Sequence, residues 1–352
     1  PYSVQLLLLT SFSWIAAPIL MLTHKRKEFS VRSRHSRLGY AVLVVSVTLS
    51  TGAIAISYIR NPGLYGVDTK YYLDQLTLMN DVEALLKLLP ADPRTVYVLL
   101  LKFFTILGGS PELAINIGSV VLAALNAYAF YLFCGEIVKD RFAGGLAAVF
   151  SALGMQTSVS LYAGIYANWL SMFLAASAFG FYLRAVRTKN SMLFFLAGLC
   201  VAIGLVAHPW SGLVYASTLL SACVLDVVAF WWRHKRIQIT ESMLALAIVL
   251  ILFVGYLFLG LAGSIQGLHL SLQITSLEKL TSSLAFSMSY MVGGFMSAPI
   301  FYITGLLGFL CLCLNKGASR GTRLVSLWLV ITSIPLLFAE QWLQWRLIYS
   351  MP

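Results

Sequence analysis

The sequence predicts an all-α, polytopic membrane protein of about ten transmembrane helices, with interfacial helices in its first outer loop. Three observations carry this reading. Hydrophobic residues make up 59% of the 352-residue chain and charged residues 11%, more apolar surface than a soluble domain of this size can bury. The apolar runs are continuous over the roughly 20 residues that a spanning helix needs, without the alternation of barrel strands. The bases cluster between those runs, so the net charge of +11 reads as a positive-inside bias and argues against nucleic acid as a partner.

The spans fall near 3–23, 39–59, 113–134, 142–156, 166–183, 191–207, 210–232, 242–262, 295–314 and 323–339. A further apolar segment, 94–107, reaches only about 21 Å as a helix, short of a hydrocarbon core of about 30 Å. Charge placement decides how to treat it. If it does not cross, one side collects Lys25, Arg26, Lys27, Arg32, Arg34, Arg37, Lys139, Arg141, Arg184, Arg187, Lys189, Arg233, Lys235, Arg236, Lys316, Arg320 and Arg323, out of 24 bases in all. If it crosses, every cluster from Lys139 onward flips and the bias is lost. The expectation is therefore that 94–107 lies in or dips into the outer interface, with the basic side cytoplasmic and both chain ends outside. The span 142–156 is short unless it continues through Gln156-Thr157-Ser158. Residues 1–38 read as an extra N-terminal transmembrane helix with a basic cytoplasmic loop. Residues 39–352 read as the main transmembrane module, expected to be incomplete at its C-terminus.

The first outer loop spans 60–112 and opens on the turn signal Asn61-Pro62-Gly63. Tyr72, Leu76, Met79, Val82, Leu86 and Leu89 then recur at helical spacing, which predicts an amphipathic helix lying on the membrane. Asp92-Pro93 ends it, and 94–107 follows as a second, more apolar interfacial helix. A later outer loop, 263–294, repeats the pattern with Leu277, Leu280, Leu284, Met288 and Met291. Helices roofing the bundle on one side suggest a lateral entrance for a lipid-linked molecule.

Six of the 13 acids lie in that first loop: Asp68, Asp74, Asp81, Glu83, Asp92 and Glu112. Asp74, Asp81 and Glu83 read as the wet face of the amphipathic helix. Asp68 differs, because Tyr65-Gly66-Val67-Asp68-Thr69-Lys70-Tyr71-Tyr72 sets it among glycine and aromatics where a span emerges into water. A helix N-cap and a functional carboxylate are equally open for it. His208-Pro209-Trp210 breaks the chain between two spans at the same depth. Gln156 to Trp169 carries no charge but is dense in hydroxyls, amides and rings, which suits sugar binding as well as an ordinary aromatic belt. Arg346, on the base-poor side, could grip a phosphate, or simply pair with Glu340 or with lipid headgroups. Asp226, within a span near its cytoplasmic end, should face the bundle interior or reach for the edge. Cys134, Cys200, Cys223, Cys311 and Cys313 read as small packing residues. There is no Gly-rich phosphate loop, His-Glu-x-x-His or Gly-x-Ser-x-Gly, so neither ATP-driven transport nor metalloprotease chemistry is supported.

Several of these parts, in order, resemble the class C (GT-C) glycosyltransferases, polytopic enzymes that use polyprenyl-phosphate sugars. Gly66-Val67-Asp68 with Tyr71-Tyr72 looks like the family's aspartate motif. Arg94-Thr95-Val96-Tyr97 through Leu107-Gly108-Gly109-Ser110-Pro111-Glu112 is similar to its interfacial helix and re-entry. Tyr162 to Asn168 matches its second outer loop, Ala207-His208-Pro209 its histidine at a helix end, and Arg346 to Pro352 its late arginine motif. The resemblance covers about 39–352 and implies an inverting transfer from a polyprenyl-phosphate donor to an acceptor hydroxyl on the outer face. It implies Asp68 as catalytic base, with Tyr71, Tyr72, Arg94, Tyr162, Tyr166, Asn168, His208 and Arg346 binding substrate. Many members carry an acid in the second outer loop; 157–168 has none. No cofactor is therefore expected, since a divalent metal lacks a second acidic residue to support it. Membrane lipids are expected partners; the acceptor is open among glycan, lipid and protein. The rival readings are a transporter or flippase for lipid-linked substrates and a non-catalytic scaffold of glycan assembly.

Overall fold

The computed structural model describes residues 36–60, 66–78, 81–88, 92, 94–107, 109–234, 319–334 and 349, with scattered positions between 276 and 314. All regular structure among these residues is helical. Among the described residues, five helical stretches are long and apolar enough to cross a membrane: Arg37–Ile56, Pro111–Val138, Arg141–Leu161, Tyr166–Thr188 and Pro209–Trp232. The expected spans at 3–23 and 242–262, and most of 295–314, lie outside the described residues, as does the loop helix expected around 277–291 apart from isolated positions.

In chain order the helices are α1 (Ser36–Arg60), α2 (Thr69–Leu78), α3 (Val82–Leu88), α4 (Thr95–Ile106), α5 (Pro111–Val138) and α6 (Arg141–Leu153). They continue with α7 (Met155–Ala163), α8 (Tyr166–Thr188), α9 (Ser191–Ala207), α10 (Pro209–His234) and α11 (Arg320–Ser333). Local chemistry explains where they start and stop. Ser110 caps α5 by accepting from the Leu113 amide at 3.2 Å, with Pro111 as the first helical residue. Lys139 and Lys189 turn left-handed to end α5 and α8, and Asp140 and Asn190 then cap α6 and α9. Ser319 caps α11 through the Thr322 amide at 3.1 Å. The expected span at 142–156 is two pieces: α6 ends at Leu153, Gly154 sits extended between, and α7 carries the chain on.

The helix ends sort into two groups. At one end the start of α1 meets the start of α6, where a Cβ on Gly39 would lie 2.2 Å from the Arg141 carbonyl oxygen. The same end holds Glu136 of α5 paired to Arg187 of α8 at 2.7 Å, and Gly321 of α11 against Ile137. It is the end where the sequence clusters its bases. The opposite end gathers Asp68, Arg94, the Gly164 turn and the α9–α10 break; we call it the aspartate end. Between them, Trp328 of α11 packs on Phe179 (ring centroids 5.1 Å), Tyr215 (5.8 Å) and Phe133 (5.9 Å), tying α5, α8, α10 and α11 together.

α4 starts beside Asp68 and leads into the start of α5 at the same end. At 12 residues it is about 18 Å long. Its Tyr97 and Leu101 both press on Gly118 of α5, while Phe103, Ile106 and Leu107 remain exposed. One expectation fails in detail. The amphipathic helix expected across 72–89 is two helices, because Asp81 caps a new start by accepting from the Glu83 amide at 3.0 Å. Tyr72 and Leu76 are buried as the periodicity requires, but Leu86 is 52% exposed. Asp74, Asp81 and Glu83 are exposed, as expected of a wet face.

Candidate functional site

Two glycines build the aspartate end. Gly66 (φ +108°) and Gly164 (φ +71°) cross so closely that a Cβ on Gly66 would lie 2.6 Å from the Gly164 nitrogen. A Cβ on Gly164 would in turn meet the Thr69 hydroxyl at 2.9 Å. This crossing lets the Asp68 amide donate to the Ala163 carbonyl at 3.0 Å, which pins the start of α2 to the end of α7. Both glycines sit in motifs that sequence reading selected for their neighbours; their own contact depends on a long-range approach it cannot see.

Asp68 precedes α2 without capping it through its side chain. Its backbone carbonyl accepts from the Tyr71 amide at 3.1 Å, and its carboxylate instead faces Arg94, with Nη1 to Oδ2 at 3.6 Å. The two side chains are 33% and 35% exposed. A pair this open contributes on the order of 0.2–1 kcal/mol, so a ligand can exchange with it at little cost. The Arg94 guanidinium also lies over the Tyr71 ring, 4.8 Å from its centroid.

Asp92 completes this group. It holds the start of α4 by accepting from the Arg94 amide at 3.0 Å, and its other oxygen accepts from the Tyr71 hydroxyl. One carboxylate thereby fixes both the base of Arg94 and the ring beneath it. In the sequence Asp92 reads only as part of a helix break, although an Asp side chain can close an Asx turn onto the backbone two residues on, as here. Burial, the bond to Asp92 and its charge hold the Tyr71 phenol well above its ordinary pKa, so it stays a neutral donor.

Below lies a floor of tyrosines. Tyr72 packs edge-on against Tyr71 (5.3 Å) and Tyr97 (5.2 Å), and Tyr166 closes the group at 5.7 Å from Tyr72 and 5.6 Å from Tyr97. The Tyr72 hydroxyl accepts from the Ala167 amide at 3.2 Å, and Tyr166 bonds Tyr58 and Thr69. Desolvation raises the phenols of Tyr72 and Tyr97, keeping both neutral. Tyr97 is fully buried and its hydroxyl has no partner among the described residues.

The residues picked from sequence therefore divide. Asp68, Arg94 and Tyr71 are together and accessible. Tyr72 and Tyr166 are buried under them, at 1% and 0% exposure. Asn168 is buried as well and accepts from the Ser211 hydroxyl, while the Ser211 amide donates to His208 Nδ1 at 3.3 Å. His208 is thus bound to the start of α10, which Pro209 opens. Tyr162 belongs to α7, but its side chain is outside the described set, and Arg346 lies outside the described residues. Tyr349 is described. It is buried against α7, bonding Ser160 and donating to the Gln156 carbonyl at 3.2 Å.

Among the described residues no three of His, Cys, Asp and Glu gather closely enough to hold a metal. The group offers one accessible carboxylate, one accessible guanidinium and an aromatic face, all anchored on helix starts. Such a set can take a proton from a hydroxyl, neutralise an anion and stack on a ring. No protein-family model matches the chain, and no curated protein matches it.

Proposed function

We propose that this membrane protein is a glycosyltransferase that moves a sugar from a polyprenyl-phosphate donor to an acceptor hydroxyl at the aspartate end. In this reading the basic end is cytoplasmic and the aspartate end extracytoplasmic, as the positive-inside bias suggests. The observation that carries the reading is the accessible Asp68–Arg94 pair, set over Tyr71 at a membrane end that α4 roofs with exposed apolar residues. In this reading Asp68 takes the proton of the acceptor hydroxyl. The acceptor oxygen forms the new bond to the anomeric carbon from the face opposite the phosphate. The old carbon–oxygen bond breaks, and the polyprenyl phosphate leaves with the electron pair and inverts the centre. Arg94 exchanges Asp68 for the departing phosphate, which both stabilises the leaving group and releases the base.

Tyr72, Tyr166, Asn168 and His208 act in this scheme as positioning residues, since their polar atoms are engaged with protein. Tyr162 and Arg346 keep the roles of sugar and phosphate ligands that the resemblance implies. The transporter reading needs a charge deep in the bundle. Its one sequence candidate, Asp226, is bonded to Arg320 and Arg323 near the basic end, which favours the enzyme. The test is purified Asp68→Asn supplied with a polyprenyl-phosphate sugar, without any gradient. We expect release of polyprenyl phosphate by the wild type and a loss of about 100-fold or more in the variant, the scale of a general base. Undiminished transfer by the variant removes Asp68 from the chemistry.

A further inference from the structure

A second charged group lies at the basic end, far from Asp68 in the fold. Asp226, on the last turns of α10, is 6% exposed in its side chain. Its Oδ2 accepts from the Tyr182 hydroxyl of α8 and from Arg320 Nε, both at 2.9 Å, and its Oδ1 accepts from Arg323 Nη2 at 2.8 Å. Both arginines belong to the first turn of α11. A buried carboxylate in an apolar bundle is costly, and three donors at these distances offset that cost.

The balance is not neutral, however. Two guanidiniums face one carboxylate, leaving one positive charge over. Each arginine gives Asp226 a single nitrogen, and the other nitrogens have no partner among the described residues. Arg323 Nε is buried, with no partner among the described residues. That surplus charge, with guanidinium nitrogens left over beside it, fits an anion. Around the group is a cleft whose other walls are Ala222, Leu225 and Leu327. Leu225 is 38% exposed, so one apolar wall of the cleft reaches the surface of α10. Trp231 and Trp232, exposed at 44% and 68%, follow about 8 Å further along α10 and mark headgroup level, where tryptophans collect.

We infer that Arg320 and Arg323, held apart by Asp226, form a binding site for the phosphate of an anionic phospholipid in the leaflet at the basic end. The phosphate takes the outward nitrogens of both guanidiniums, and the apolar walls receive the top of an acyl chain. Basic pockets between helices on this side of membrane proteins recognise such headgroups. Asp226 orients the two forks and keeps the empty site from carrying two bare cations. The site is independent of the glycosyl-transfer proposal.

The test is native mass spectrometry of the full chain in detergent, titrated with phosphatidylglycerol, with phosphatidylcholine and with inorganic phosphate. The wild type should bind one phosphatidylglycerol in preference to phosphatidylcholine. Arg320→Gln leaves Asp226 its bonds to Tyr182 and Arg323, so the fold persists. That variant should lose about fivefold in affinity, the effect of one base at a membrane surface. Asp226→Asn keeps both arginines and adds net positive charge, so it should hold the lipid at least as well as the wild type. Lys139→Gln, at the same end but outside the cluster, should bind like the wild type. The proposal is overturned if Arg320→Gln retains phosphatidylglycerol fully or if Lys139→Gln loses as much. It is also overturned if phosphatidylcholine binds equally, or if inorganic phosphate displaces the lipid at matching concentration, which would make the ligand a soluble anion.

Discussion

Gly66→Ala asks whether the glycine crossing positions Asp68. The substitution forces an L side chain to φ +108°, a conformation that costs about 1–3 kcal/mol outside glycine. It also places a methyl 2.6 Å from the Gly164 nitrogen and 2.9 Å from the Leu161 carbonyl oxygen, both backbone atoms that cannot rotate away. The loops must part, and the bond from the Asp68 amide to Ala163 goes with them, a further loss of about 1 kcal/mol. The sum, about 2–4 kcal/mol, falls on the loop contact and not on the helix core. We expect a modest fall in the thermal midpoint in detergent and a loss of about 100-fold in sugar transfer, the scale of a 1 Å displacement of a catalytic group. Gly52→Ala is the control: it lies inside α1, nothing meets its Cβ within 4 Å, and it should stabilise by about 0.5–1 kcal/mol without touching activity. Wild-type transfer by Gly66→Ala would refute the idea that this crossing sets the carboxylate.

Two further outcomes follow from other parts of the molecule. Tyr71 carries a phenol whose pKa burial and Asp92 hold above the ordinary 10.0, so the unfolded chain ionises first as pH rises past about 10 and the folded state loses stability there. Tyr71→Phe should therefore show a shallower fall of thermal midpoint in the alkaline range; unchanged slopes would mean that the phenol ionises as freely in the folded chain as in the unfolded one. Trp328→Ala empties a fully buried position among Phe133, Phe179 and Tyr215 and should cost about 3–5 kcal/mol, read as a large drop in midpoint, with Asp68 and Arg94 left in place.

Much of the frame was legible without coordinates. Continuous apolar runs and the bases between them predicted helices in a membrane, and the described helices sort their ends as that charge pattern requires. The short segment 94–107 was expected at the outer interface from its length and from charge placement; in the structure α4 within it starts and ends at the aspartate end. Even the uncertain outer half of 142–156 had a visible cause, since Gly154 and the polar residues after it mark where α6 gives way to α7. The break of the amphipathic helix at Asp81 was missed because the apolar spacing continues through it, while the cap acts on the backbone and leaves no mark in periodicity.

What the sequence determined by itself is what depends on sums along the chain: lipid as solvent, helix as the only element, and which helix ends share a side. Only the tertiary structure decided the role of each polar residue there. Asp68 could have been a cap until its carboxylate was seen turned to Arg94. Asp92 gained its part from a tyrosine on another helix, and Tyr72, Tyr166 and Asn168 moved from the surface of the site to its support. Hydropathy adds up residue by residue, but a hydrogen bond or a glycine crossing exists only when two distant stretches meet, and no local pattern encodes the partner.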